Sequence, residues 1–210
     1  EPPTPEPEPE PPTPEPEPEP QVTSSVKMPV ILIKWNDLEF NISLYFGQSE
    51  GNRTPIYNDV DNLLNGDNYT YIDQPSETGS VKEYYKAISH DNMDVSFIIL
   101  SASNTSVNDN TNLDEYAYNI NDSYVNQGDT NDPNSSSLKD HLIQAYQSAV
   151  SNYGSTNFAN DFDNMGIMFI HAGFGAESGY NNNIWSHKWS FQSNGIWVNY
   201  NINPFKANIS

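Results

Sequence analysis

MGIMFIHAGFGAESGYNNNIWSHKW, residues Met165 to Trp189, is the stretch that decides the fold. It opens with an apolar run, Met165 to Ile170, that has the length and composition of a buried strand. It then breaks into a loop punctuated by Gly173, Gly175 and Gly179. It closes on Ile184-Trp185-Ser186-His187-Lys188-Trp189, which mixes apolar and polar residues and reads as a half-exposed strand with Trp185 and Trp189 on one face. Two of the four histidines and two of the four tryptophans lie in these 25 residues.

Working outward, Ser193-Asn194-Gly195 is a hairpin turn signal between this stretch and a last strand, Gly195 to Ile202. Upstream, Leu138, Leu142, Ala145, Tyr146, Ala149, Val150 and Tyr153 share one helix face, with Ser137 as a candidate cap and Gly154 as a stop. Asn104 to Ser137 is rich in Asn, Asp, Ser and Thr and reads as a surface excursion, with a short strand near Tyr116–Ile120. Asp94 to Ala102 and Pro29 to Trp35 read as strands, the latter covered on both faces. Ile56, Val60, Leu63 and Leu64, followed by Gly66, outline a short amphipathic helix. Ser80-Val81-Lys82-Glu83 is a capping box, starting a helix with Val81, Tyr84, Tyr85 and Ile88 facing inward. The alternation of strands and helices with a terminal hairpin predicts an α/β fold. Its sheet is twisted and mixed, mostly parallel with an antiparallel edge strand, and packed against helices.

The first 20 residues repeat PPTPEPEPE and hold 11 of the 16 prolines. Proline fixes φ and removes the backbone donor, so this segment favours an extended polyproline II rod. At about 3.1 Å per residue the rod reaches about 60 Å. Residues 1–27 are therefore read as a Pro/Glu-rich linker to a neighbouring domain, and 28–210 as the folded body.

The formal charge is −20, and seven Glu lie in the tail, leaving −13 on the body. Such acidity argues against nucleic acid and anionic lipid as partners. No apolar run approaches the ~20 residues needed to span a bilayer. The absence of cysteine excludes a disulfide, a thiolate zinc site and a cysteine nucleophile. The chain has no H-E-x-x-H, no Walker loop and no G-x-S-x-G elbow: in Gly175-Ala176-Glu177-Ser178-Gly179 the serine is one place late. Asp59/Asp61, Asp109/Asp114/Glu115 and Asp161/Asp163 are calcium candidates, although solvated loops carry such clusters more often. His171 falls at the C-terminal end of a central strand, where sites in such sheets gather. Glu177 lies six residues on; a buried His–Glu pair binds a metal or simply holds a loop in shape.

The motif H-A-G-x-G-x-E-S-G at His171–Gly179, followed by I-W-S-H-K-W at Ile184–Trp189, resembles the secreted zinc metalloproteases related to immune inhibitor A. Pro29–Trp35 with Asn36-Asp37, Ser80–Tyr85 with Ser89, and Phe158–Asp163 resemble further blocks of that family in the same order. The resemblance implies a zincin, in which two His and a Glu on a later H-E-x-x-H helix hold zinc and activate water against a peptide carbonyl. That helix is expected downstream of Ser210, so this chain corresponds to the N-terminal part of the catalytic domain and carries no zinc ligand. Within that frame Trp185, Ser186, His187 and Lys188 are expected to bind substrate along an edge strand, with Trp185 and Trp189 facing the core. His171, Gly173, Gly175, Glu177 and Gly179 would form a bracing cleft loop. The implied cofactor is zinc, the implied partner a protein or peptide, and the implied location secreted or cell-surface. The alternative is a non-catalytic adhesion or binding module derived from the same fold.

Overall fold

The computed structural model describes residues 24–40, 57–70, 78–103, 113–121, 136–162, 166–175, 184 and 186–206. It is an α/β structure built on one six-stranded sheet. The strands are β1 (Ser24–Trp35), β2 (Met93–Leu100), β3 (Tyr118–Ile120), β4 (Ile167–Phe174), β5 (His187–Ser193) and β6 (Ile196–Lys206). Their order is β2-β1-β4-β6-β5, with β3 also on β1. Every pairing is parallel except β5–β6. The antiparallel strand is thus at the edge, as the element order requires.

β1 is long enough to take two partners on one side. Ser24–Ile31 pair with β2 and Ile33–Trp35 with β3, while Val30–Ile33 pair with β4 on the other side. Val30, Ile31, Leu32 and Ile33 are all fully buried, which explains their unbroken apolar run. β1 starts at Ser24, so Ser24–Lys27 belong to a strand rather than to a linker reaching residue 27.

Helices α1 (Tyr57–Asn65) and α2 (Val81–Ile88) pack on β2, and α4 (Ser136–Tyr153) and α5 (Ser155–Phe162) pack on β1 and, through α4, on β5. A single turn, α3 (Leu113–Tyr116), precedes β3. The two helix pairs sit on opposite faces. Tyr146 of α4 meets Phe191, which meets Phe169, whereas Val81 and Tyr85 of α2 lie near Met168 and Ile170. Phe169 and its two neighbours point to opposite faces of β4 because side chains alternate along a strand. The α4 side is closed by aromatic rings: Phe169–Tyr200 at 5.7 Å, Phe191–Tyr200 at 5.5 Å and Tyr146–Phe158 at 5.7 Å between centroids. Leu138, Leu142, Ala145 and Ala149 form the buried stripe of α4. That helix begins at Ser136, so Ser137 lies in its first turn and is not its cap. Gly154 has φ +89°, a left-handed position that ends α4 and lets α5 start at once.

Ser80 and Glu83 form the expected capping box: the Glu83 N–H donates to Ser80 Oγ (3.2 Å) and the Ser80 N–H to Glu83 Oε2 (2.7 Å). The Asn68 N–H donates to the other carboxylate oxygen (2.7 Å), tying the α1 exit to the α2 start. The inward face expected for α2 is half right. Val81 and Tyr85 pack against the core, but Tyr84 and Ile88 are 60% and 55% exposed. α2 lies at the sheet border, above an edge strand, so only one narrow stripe finds cover. Asn65 at the end of α1 clamps the backbone of β2: its Nδ2 donates to Phe97 O and its Oδ1 accepts from Phe97 N–H, both at 2.8 Å.

Two carboxylates act as folded-state ties. The Tyr153 hydroxyl, first, and the Lys27 ammonium hold the Asp161 carboxyl below its ordinary range (2.9 and 3.2 Å). The Asn68 and Ser80 amides do the same for Glu83. Their contribution is complete above the unfolded carboxylate range, near pH ~4, and is lost as pH falls through the lowered folded values. The double variant E83Q/D161N is expected to flatten the acid limb of melting temperature against pH; an unchanged acid limb would contradict these ties. Phe169→Ala is expected to cost about 3–5 kcal/mol in urea unfolding.

Candidate functional site

Covering both faces of β1 and β4 leaves a concavity among the described residues, because α1 and α2 shield only part of their side of the sheet. Met168 and Ile170 of β4 form the floor of a groove of about 600 Å³. Leu63 and Leu64 of α1, with Val81 and Tyr85 of α2, make an apolar wall. Opposite, Asn201, Asn203 and Pro204 of β6 and Ser186, just before β5, supply a mostly polar wall. An apolar floor with a few convergent polar groups is the composition of a binding cleft. Burial raises the pKa of the Tyr200 phenol, to about 12, on the other face of β6. That ring therefore stays neutral and belongs to the core.

Ser186 lines this groove. Lys188 pairs with Asn201 and is exposed on the same ribbon. His187 pairs with Ile202 through the backbone. Trp185 lies outside the described residues. Trp189 was expected to face the core, and this needs correction: it is 46% exposed. Phe191 and Ser193 are covered by Tyr146 and Gln147 of α4. Trp189 lies farther along the ribbon, outside the cover those two contacts provide. β5 ends the strand order, so among the described residues one of its two backbone edges pairs with no other strand.

His171 is brought to a different place. It is fully buried in β4, between Ile33 of β1 and Pro204 of β6. A carbonyl only accepts, so its Nδ1–H donates to Ala172 O at 2.9 Å. Its ring meets Trp35 edge-on, with centroids 5.6 Å apart and planes at 85°. Alternation puts His171 on the strand face of Phe169, away from Met168 and Ile170. His171 therefore does not share the groove with Ser186; it joins β4 to the core at Trp35. Gly173 follows with φ +100°, a position that L side chains rarely adopt, where the β4–β6 register shifts. Gly175 is buried. Glu177 and Gly179 lie outside the described residues, and with them the expected His171–Glu177 pair.

Among the described residues no three His, Asp or Glu side chains gather as metal ligands. Of the calcium candidates, Asp161 is engaged by Tyr153 and Lys27, and Asp61 accepts from Asn65 (2.7 Å). Asp109 and Asp163 lie outside the described residues.

Sequence reasoning missed most of the groove. The alternation Val198-Asn199-Tyr200-Asn201-Ile202-Asn203 signals a strand with one polar face. It carries no sign that Asn201 and Asn203 stand opposite Leu63 and Tyr85, which are more than 100 residues away in sequence. No protein-family model matches this chain, and no curated protein is significantly similar to it.

His171→Ala is expected to destabilise the fold by about 3 kcal/mol through the cavity left beside Trp35. His171→Gln should recover part of the loss. An unchanged denaturation midpoint in His171→Ala would contradict the bracing role.

Proposed function

We propose that this chain is the upstream part of a secreted zinc endopeptidase domain and that it supplies the surface on which a peptide is held. The observation that carries this reading is β5. It is the antiparallel strand of an otherwise parallel sheet, ends the strand order among the described residues, and starts at a groove whose polar wall includes Ser186. An extended peptide adds to such an edge through main-chain hydrogen bonds, and neighbouring pockets select its side chains. The resemblance of His171–Gly179 and Ile184–Trp189 to the immune inhibitor A-related proteases points the same way. In this reading His171 is a positioning residue that acts by bracing β4.

The described residues do not fit a zinc site, since they bring no three ligands together. The metal would be held by residues outside them, and no step of bond cleavage is assigned to these side chains. Bound zinc would supply the activated water. The chain's own residues hold the peptide along β5 and offer Met168, Ile170, Leu63 and Leu64 as apolar contact.

A second reading, a non-catalytic adhesion or binding module, draws on a different observation. Ile196 and Trp197 at the tip of the β5–β6 hairpin are 65% and 66% exposed, on opposite faces of the ribbon because side chains alternate along a strand, and each offers a large apolar group for contact.

The parent reading frame separates the two. An in-frame H-E-x-x-H within about a hundred residues of Ser210, and zinc-dependent casein hydrolysis by that longer protein, are expected. In it, Ser186→Trp should raise KM about 10-fold with kcat nearly unchanged, because it narrows a binding groove without touching the reacting atoms. A stop codon directly after Ser210, or a Ser186→Trp enzyme with normal KM, would sink the protease reading.

A further inference from the structure

The chain contains two Asn-Gly pairs, Asn65-Gly66 and Asn194-Gly195. Asn-Gly is chemically labile because glycine leaves its backbone nitrogen free to approach the preceding side-chain amide. The fold treats the two pairs oppositely. At Asn65 both reacting groups are held. Nδ2 donates to Phe97 O (2.8 Å) and to Asp61 Oδ1 (2.7 Å), Oδ1 accepts from Phe97 N–H (2.8 Å), and the Gly66 N–H donates to Asn62 O (2.8 Å). Asn194 and Gly195 are the two exposed central residues of the β5–β6 turn. Their φ values are +51° and +80°, as a type I′ turn requires. A Cβ placed on Gly195 would meet nothing within 4 Å.

We propose that Asn194 is a site of spontaneous deamidation that ages the edge hairpin, while Asn65 is protected. The Gly195 backbone nitrogen attacks Asn194 Cγ, the Cγ–Nδ2 bond breaks, and ammonia leaves carrying the amide proton. The resulting succinimide takes up one water and opens to aspartate or isoaspartate; nothing is oxidised or reduced. Either product adds a negative charge at the hairpin tip. Isoaspartate also inserts an extra backbone carbon into a two-residue turn whose length sets the β5–β6 register. The modification therefore acts on the edge strand itself. The inference rests on the turn geometry and holds whichever function is correct.

The test is peptide mapping by mass spectrometry of the full chain held in mildly alkaline buffer, with isoaspartate detected by enzymatic methyl labelling. In native buffer the Asn194 peptide should convert at least ~10-fold faster than the Asn65 peptide, because Asn65 reacts only through local opening. In denaturant the two rates should draw together, which measures the intrinsic effect of the flanking residues. Equal rates in native buffer, or faster conversion at Asn65, would overturn the proposal. As a second readout, the isoaspartate species separated by ion exchange should show faster amide exchange across His187–Ser193 than Asn194→Asp. Identical exchange in the two would refute the effect on the strand.

Discussion

The pairing of β1 with β4 is the constraint from which the rest of this structure follows. Val30–Ile33 have no exposed surface, and β4 runs beside them in parallel register from Met168 to His171. Parallel neighbours cannot be joined by a tight turn, so each connection must cross over, and the crossovers carry the helices. Backbone groups at this depth have no water, so the ladder must satisfy them. Two buried strands side by side then demand cover on both faces, which α1 and α2 supply on one side and α4 and α5 on the other.

The two covers are unequal, and the candidate site comes from the difference. On the α4 side, Tyr146, Phe169, Phe191 and Tyr200 fill the space as far as the edge strand. On the α1 side, an eight-residue and a nine-residue helix stop short of β6. The face of β6 beyond them carries Asn199, Asn201 and Asn203, with the exposed Trp197 before them toward the hairpin turn. A sheet strip that is apolar under the helices and polar beyond them forms a groove at the boundary. β5, which runs antiparallel beside β6, brings Ser186 to its mouth.

His171 and Ser186 lie in the two most motif-like segments of the chain, yet the pleat of the sheet sends them to different places. His171 serves the core beside Trp35, and Ser186 serves the groove. Residues that a motif brings close in sequence are separated by alternation, a constraint as local as the motif itself. The two segments are linked through the pairing of β4 with β6 and of β6 with β5.

How much was legible follows from the range of each signal. The apolar runs at Pro29–Trp35 and Met165–Ile170, the capping box at Ser80–Glu83, the Leu138–Ala149 stripe and the Asn194-Gly195 turn act over a few residues. The sequence alone determined these elements, and with them the mixed sheet and its antiparallel edge. The exposure of Tyr84, Ile88 and Trp189, the Asn65 clamp on Phe97 and the groove between Leu63 and Asn201 were decided only by tertiary structure. In each case the partner, or its absence, lies far along the chain, and burial is a property of where elements stop covering one another. Local pattern specifies which face of a strand or helix is apolar; the lengths and placement of its neighbours determine how much of that face is covered.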